Sequence, residues 1–281
     1  MRRQVKRPEV VKELLPGQSP ALLKELHLLT RDGDLNADSL RKLKQVNHLV
    51  RLLAPAVEDV LARFGEPVIV DCGAGKGYLG FILHELFVGP AGKGTILGVE
   101  SRPELARAAE ALARNLGYGR MRFIGEEVER AVLPERVHLV TALHACDTAT
   151  DDALLVAIRH NADHVAVVPC CQAEVARQLQ ERRGGPGPIA ELSRHPWHRR
   201  EFGSHLTNVI RGLALEAHGY RVTVTELAGW EHSLKNELIL GSKVRGASSA
   251  ARDRLEALLA ASGVRPKLVR EAWGAAGRGF A

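Results

Sequence analysis

Acidic, histidine and cysteine side chains directly follow four apolar runs of this sequence. Asp71 and Glu100 end the first two runs, His144-Ala145-Cys146-Asp147 follows the third, and Pro169-Cys170-Cys171-Gln172 follows the fourth. Carboxyl ends of parallel strands meet at one edge of a sheet, so we expect the first, third and fourth of these groups to converge. Carboxylates orient polar ligands, and histidine accepts protons near neutral pH. The pattern predicts a binding and group-transfer site at that edge.

Three alternating glycines lie between the first run and a helix-like pattern. Gly73, Gly75 and Gly77 follow Asp71, and apolar residues recur from Leu79 onward at helical spacing. Glycine reaches positive φ without strain and lets a ligand lie against the backbone. A strand, a glycine turn and a helix form the first half of a Rossmann-like unit. The dinucleotide fingerprint fits only from Gly75, so the spacing does not exclude a dinucleotide.

The segment Asp-x-Gly-x-Gly-x-Gly resembles motif I of the class I S-adenosylmethionine (SAM) methyltransferases. The resemblance implies that the loop contacts the methionine part of SAM and that Glu100, 29 residues after Asp71, binds the ribose hydroxyls. The alternatives are a glycine turn of another α/β protein and a solvated carboxylate at Glu100. The SAM-binding residues implied are Asp71, Gly73, Ala74, Gly75, Gly77, Tyr78, Glu100, Ser101, Glu126 (near the adenine) and His144.

Four further segments carry a narrower resemblance, which spans roughly residues 38–243. They resemble the tRNA 2′-O-ribose methyltransferases and the methyltransferase-like and glutathione-transferase-C-terminal-domain-containing proteins. Two residues depart from that pattern: Asp147 stands where glycine is common, and Gln172 stands where the tRNA enzymes have histidine. The segments are His144–Asp151 (H-x-C-x-x-A-T-D), Pro169-Cys170-Cys171 (P-C-C), Ser233–Asn236 and Arg41–His48.

Methyl transfer needs an acceptor held in line with the SAM methyl group and, where the acceptor carries a proton, a base. We expect His144 to accept that proton and Asp147 to orient the substrate or act as the base. Cys170, Lys235 and Asn236 complete the predicted reacting end.

The cysteines leave other interpretations open. They could be buried apolar side chains, which we favour, or the nucleophile of an attack on a pyrimidine. A zinc site from His144, Cys146, Cys170 and Cys171 is weaker because C-x-x-C spacing is absent, so we expect no metal. The zinc-deaminase pattern fails at both of its motifs.

Basic charge is concentrated outside the predicted catalytic core. The chain carries a net charge of +6; residues 1–54 hold eleven Lys or Arg against six Asp or Glu, residues 177–211 seven against three, and residues 242–281 eight against three. This distribution favours a polyanion such as RNA, contacted through segments 1–54 and 194–211. The alternative is solubilising charge on terminal helices.

The order of elements predicts the fold. Five strand–helix units followed by an antiparallel pair predict the α/β, seven-stranded methyltransferase sheet with its last strand antiparallel. We expect a basic helical extension (1–64), a methyltransferase domain (65–243) and a basic helical tail (244–281). No run of eighteen apolar residues occurs, no apolar signal core follows the basic start, and the four cysteines suit reduced thiols, so we expect a cytoplasmic protein.

These observations predict a SAM-dependent methyltransferase that acts on RNA. The acceptor would be tRNA or rRNA, with the ribose 2′-oxygen as a candidate atom. A small-molecule or protein methyltransferase and a non-catalytic SAM- or RNA-binding module are the alternatives.

Overall fold

Seven strands form over the part of the chain that the computed structural model describes, which is residues 13–29, 37–143, 145, 147–169, 172–181, 187–227, 237–244 and 246–274. The strand order is β3-β2-β1-β4-β5-β7-β6, and β7 runs antiparallel to β5. The predicted Rossmann-like methyltransferase sheet is therefore confirmed. The strands are β1 (Val68–Cys72), β2 (Thr95–Val99), β3 (Met121–Ile124), β4 (Leu139–Leu143), β5 (His164–Val168), β6 (Tyr220–Glu226) and β7 (Glu237–Lys243).

Helices connect and flank these strands. A π-helical turn, His84–Val88, separates α3 from α4. Within the described ranges, no helix has the length and apolarity needed to cross a membrane. The helices are α1 (Pro20–Glu25), α2 (Ala37–Arg63), α3 (Tyr78–Leu83), α4 (Gly89–Ala91), α5 (Pro103–Asn115), α6 (Thr148–Arg159), α7 (Glu174–Glu181), α8 (Pro188–Ser193), α9 (Pro196–Ala217), α10 (Ser249–Ser262) and α11 (Lys267–Gly274).

The chain divides into two compact units. The first unit comprises Met1–Pro134 and Glu226–Asn236, and the second comprises Glu135–Thr225 and Glu237–Ala281. The division at residues 64 and 243 stays a prediction.

The first unit is built on parallel strands that are buried on both faces. β1 pairs with β2, placing Asp71 opposite Gly98, and β2 pairs with β3. After its first residue each of β1 and β2 is fully buried, which explains why both read as continuous apolar runs. Helix α2 continues through Pro55 and buries Leu53 and Val57 completely.

The polar residues of α2 do not all face water. Helical spacing groups Asn47 with the polar Arg41, Lys44 and Arg51, which predicts an exposed face, but the side chain of Asn47 is buried. Its Nδ2 donates to the carbonyl of Glu13 (2.7 Å), and its Oδ1 accepts from Gln18 Nε2 (3.0 Å). The amide of Asn47 therefore satisfies the backbone and side chain of the preceding segment, where a periodicity argument sees only a polar residue.

In the second unit, β4 pairs in parallel with β5, and α6 connects them. The glycines and prolines of residues 182–200 predict an irregular stretch. That prediction is wrong for residues 187–200, the described part, because α8 begins at Pro188 and α9 at Pro196. Proline suits the first helical position, where its missing N–H has no intrahelical acceptor. These prolines therefore start helices and do not interrupt them.

Candidate active site

The glycine loop after β1 adopts a conformation that L-residues rarely take. The φ angles of Gly73, Gly75 and Gly77 are 68°, 59° and 75°. The Ala74 amide donates to the carbonyl of Val99 (3.0 Å), and the Gly77 amide donates to that of Ala74 (2.8 Å). No described atom outside the adjacent residues lies within 4 Å of where a Cβ on Gly75 would be. The loop is therefore fixed by its own backbone and open at Gly75.

Glu100, the residue after β2, ties this loop to the next one. Its Oε2 accepts from the Gly75 amide (2.8 Å), and its Oε1 accepts from the amide (3.1 Å) and the Nε (2.7 Å) of Arg102. Burial acts to raise the pKa of Glu100, but these hydrogen bonds outweigh it, so the pKa lies below its ordinary value. A carboxylate accepts about four hydrogen bonds, so the charged group retains capacity for a ribose hydroxyl.

The other predicted SAM contacts of this unit lie along the same strand ends. Asp71 is buried near the end of β1, and the half-buried Tyr78 opens α3. Ser101 is exposed beside Glu100. The half-buried Glu126 accepts from the amide of Glu127 (3.0 Å). Their roles in binding stay predictions.

Phe123, which the sequence patterns did not single out, shapes the glycine loop. A Cβ on Gly77 would lie 2.9 Å from the Phe123 ring, and one on Gly98 would lie 2.5 Å from it. The ring stacks on Phe81 with centroids 5.8 Å apart. Glycine at positions 77 and 98 thus makes room for an aromatic support under the loop.

In the second unit, Asp147 occupies a backbone conformation that suits glycine. Its φ and ψ are 49° and −116°, a region that residues other than glycine rarely adopt. Its Oδ1 accepts from the amides of Ala173 (2.9 Å) and Glu174 (3.2 Å), and its Oδ2 lies 3.3 Å from the guanidinium of Arg177. The carboxylate therefore caps the N-terminus of α7. Its role as substrate orienter or base stays a prediction.

Two further residues of the same motif hold the backbone after β4. The Thr150 hydroxyl donates to the carbonyl of Ala145 (2.6 Å). Arg211 donates through Nε to Asp151 (2.7 Å) and through a terminal nitrogen to the carbonyl of Asp147 (2.8 Å). Burial raises the pKa of Asp151 and Arg211 opposes that rise. The Thr-Asp pair thus shapes the β4 exit.

A methyltransferase-domain family model matches residues 41–178 of this chain. Residues 41–178, about half of the chain, are therefore similar to methyltransferase domains, and the seven-stranded sheet is the fold of the SAM-dependent methyltransferases.

Individual proteins also resemble this chain. The glutathione S-transferase C-terminal domain-containing protein of Bos taurus is 25% identical over 236 residues, which are 75% of this chain and 35% of that protein. The chain thus spans about a third of that relative's length. An rRNA methylase from Streptococcus thermophilus aligns at 11% identity and TM-score 0.44, over 70% of this chain and 96% of that one. Magnesium protoporphyrin IX methyltransferase from Synechocystis aligns at 15% identity and TM-score 0.45, over 80% of this chain and 95% of that one.

The residues of the first unit fit SAM, the methyl donor of this enzyme class. The open backbone at Gly75 allows close approach, and the charged Glu100 can accept from ribose. SAM supplies an electrophilic methyl group; the protein's task is to hold an acceptor in line with it and to remove water.

The predicted reacting residues fall partly outside the described chain. His144, Cys170, Lys235 and Asn236 lie there, and their catalytic roles stay predictions. The cysteine-based alternatives also depend on residues outside the described ranges. Among described residues, the side chain of Cys72 is buried, and no cluster of three or more His, Cys, Asp or Glu side chains could hold a metal.

Proposed function

We propose that this methyltransferase transfers the methyl group of SAM to RNA, with tRNA or rRNA as substrate and the ribose 2′-oxygen as the candidate acceptor. Support comes from the basic segments outside the core and from the resemblance of its H-x-C and P-C-C motifs to those of tRNA ribose methyltransferases. The observation that carries the proposal is an exposed tryptophan within a basic surface.

That surface lies at the start of α9. Trp197 is 58% exposed, and the guanidinium of Arg200 lies 4.5 Å from its ring centroid. His195 and His198 flank the tryptophan and contact each other edge to face, with centroids 5.6 Å apart. An aromatic face beside cations can stack a nucleobase and attract the adjoining phosphate.

The arginines of segment 194–211 do not act alike. Arg194 and Arg200 are exposed and carry surface ion pairs with Glu191 (2.6 Å) and Glu201 (3.2 Å), which a phosphate can replace at little cost. Arg199 and Arg211 are buried and donate to protein acceptors. The proposed contact is therefore confined to Arg194, Arg200 and Trp197, and excludes the two buried arginines.

The test is methyl transfer from radiolabelled SAM into total RNA, protein and small-molecule extracts, with Gly75→Ala as the cofactor-site control. Label in RNA that falls in the control variant supports the proposal. Label confined to protein or small molecules would show that the acceptor is not RNA. SAM binding without label in any fraction would favour a non-catalytic module.

Salt titrations of binding to single-stranded RNA test the surface itself. We expect Arg200→Ala to lower the slope of log affinity against log salt by about 0.7, as for one lost phosphate contact. Trp197→Ala should weaken binding by roughly 5- to 150-fold without changing that slope, because stacking releases no counterion. Arg130→Ala, an exposed arginine of the first unit, is the control. Affinity independent of salt would contradict the proposal.

A further inference from the structure

Three polar side chains share one face of α9. Ser204, Asn208 and Arg211 are spaced by four and three residues, which places them in a row along the helix. Leu206 and Ile210 are buried on the same helix. Polar side chains on the buried face of a helix need hydrogen-bond partners, because unpaired polar groups are costly there.

The partners of this row belong to the segments that were predicted to react. Ser204 Oγ donates to Gln172 Oε1 (2.7 Å), and Gln172 directly follows Pro169-Cys170-Cys171. Asn208 Nδ2 donates to the carboxylate of Glu237 (2.9 Å), the residue after Lys235-Asn236. Each of these two side chains therefore holds the residue next to a predicted motif.

Arg211 completes the set at the β4 exit. It donates to Asp151 and to the carbonyl of Asp147, and its other terminal nitrogen donates to Asn208 Oδ1 (3.1 Å). Asn208 Oδ1 also lies 3.4 Å from Gln172 Nε2, so the amide of Asn208 joins all three connections.

This network is buried and charged at its centre. Arg211 is 1% exposed, Asp151 2% and Asn208 4%, so the hydrogen bonds among these three side chains are shielded from water. In such surroundings the side chains have few alternative partners, and the loss of one leaves the others unsatisfied. The network therefore holds Gln172, Glu237 and the Asp147 backbone relative to one another.

We propose that Ser204, Asn208 and Arg211 are positioning residues for methyl transfer. They act through Gln172, Glu237 and the Asp147 backbone on the three segments that carry the predicted reacting groups. The turnover part of this proposal rests on the proposed function; the positioning part concerns the protein alone.

The experiment compares Ser204→Ala, Asn208→Ala and Arg211→Lys with Tyr220→Phe in the full chain. The Tyr220 hydroxyl shares its proton between the carbonyls of Ala157 (3.0 Å) and Ala162 (2.9 Å), and neither residue belongs to the three segments. This control variant also loses buried hydrogen bonds, so it reports the effect of destabilisation alone.

Two measurements are made on each variant at a temperature where it is folded. At saturating SAM we expect kcat to fall by roughly 10- to 100-fold in the α9 variants and to change little in Tyr220→Phe, because small misplacements of reacting groups are costly. SAM affinity should stay within about twofold of wild type, since the glycine loop and Glu100 are untouched. We also expect the amides of Ala173 and Glu174 to exchange hydrogen faster in the α9 variants only.

The outcomes separate this proposal from the RNA proposal. If another acceptor is methylated, the same kcat comparison applies to that acceptor. If nothing is methylated, the amide exchange decides. Equal exchange in all variants, or equal loss of kcat in Tyr220→Phe, would overturn the positioning role. Ser204→Ala removes a single hydroxyl from a half-buried residue and keeps the test available if Arg211→Lys does not fold.

Discussion

Alanine at Gly77 should destabilise the protein more than alanine at Gly75, although both glycines have left-handed backbones. The φ angles are 75° at Gly77 and 59° at Gly75, and an L-residue in this region costs about 1–2 kcal/mol at either site. The surroundings differ: a Cβ at Gly75 meets open space, whereas one at Gly77 would lie 2.9 Å from Phe123 and 3.1 Å from Phe81.

Overpacking of this kind costs about 1–3 kcal/mol in addition to the backbone strain. We therefore expect Gly75→Ala to lower the free energy of unfolding by about 1–2 kcal/mol and Gly77→Ala to lower it by about 2–5 kcal/mol. Phe123→Leu in the Gly77→Ala background should recover part of the difference, giving a coupling of about 1–3 kcal/mol in the double-mutant cycle.

Urea unfolding of the two single variants, Phe123→Leu and the double variant gives these free energies, and calorimetry gives SAM affinity. Gly75→Ala should lose SAM affinity out of proportion to its small loss of stability, because its new methyl group would occupy the open space where we predict that SAM approaches the loop. Equal destabilisation at the two sites, or a cycle without coupling, would refute the assignment of Phe123 as the support of the loop.

Two other substitutions follow from the carboxylates. Glu100→Gln places an amide donor against N–H groups of Gly75 or Arg102, so SAM affinity should fall. Folding lowers the pKa of Glu100. The contribution of this carboxylate to stability is therefore present above the unfolded pKa and is lost as pH falls through the folded pKa. Acid titration of stability should show this loss in wild type and not in the glutamine variant; identical curves would contradict it. Asp147→Ala removes the cap of α7 and keeps the backbone strain, which should lower the free energy of unfolding by about 0.5–2 kcal/mol. Asp147→Gly also removes the cap but relieves the strain, so it should be more stable than the alanine variant by about 1 kcal/mol. Chemical denaturation compares the two, and an alanine variant as stable as the glycine variant would show that position 147 is not strained.

The sequence predicted those features that depend on local pattern. The apolar run that ends at Glu100 located β2, the run before Pro169 located β5, and the spacing of Gly73, Gly75 and Gly77 located the turn. Glu100 could be singled out as a candidate ligand-binding residue because an acidic side chain directly follows a buried apolar run.

Features that depend on long-range partners were not predictable in this way. Arg211 read as a surface cation, because its carboxylate partner Asp151 is 60 residues away in sequence. Asn47 read as exposed for the same reason. Phe123 read as an ordinary strand residue, since nothing in its sequence neighbourhood reveals that a glycine from another segment packs against its ring. For α9, the feature visible in the sequence was the spacing of Ser204, Asn208 and Arg211 by four and three residues, on a helix that also carries apolar residues.

The distance in sequence between Asp151 and Arg211 also has a consequence for the nascent chain. At about 5–20 residues per second, a ribosome would add Arg211 roughly 3–12 s after Asp151. The rest of α6, β5, α7 and α8 are synthesised in that interval, while the carboxylate that will be buried still faces water. The exit of β4 can therefore take its native shape only after α9 has emerged and docked, which makes this region a late-forming and protease-accessible part of the newly synthesised protein.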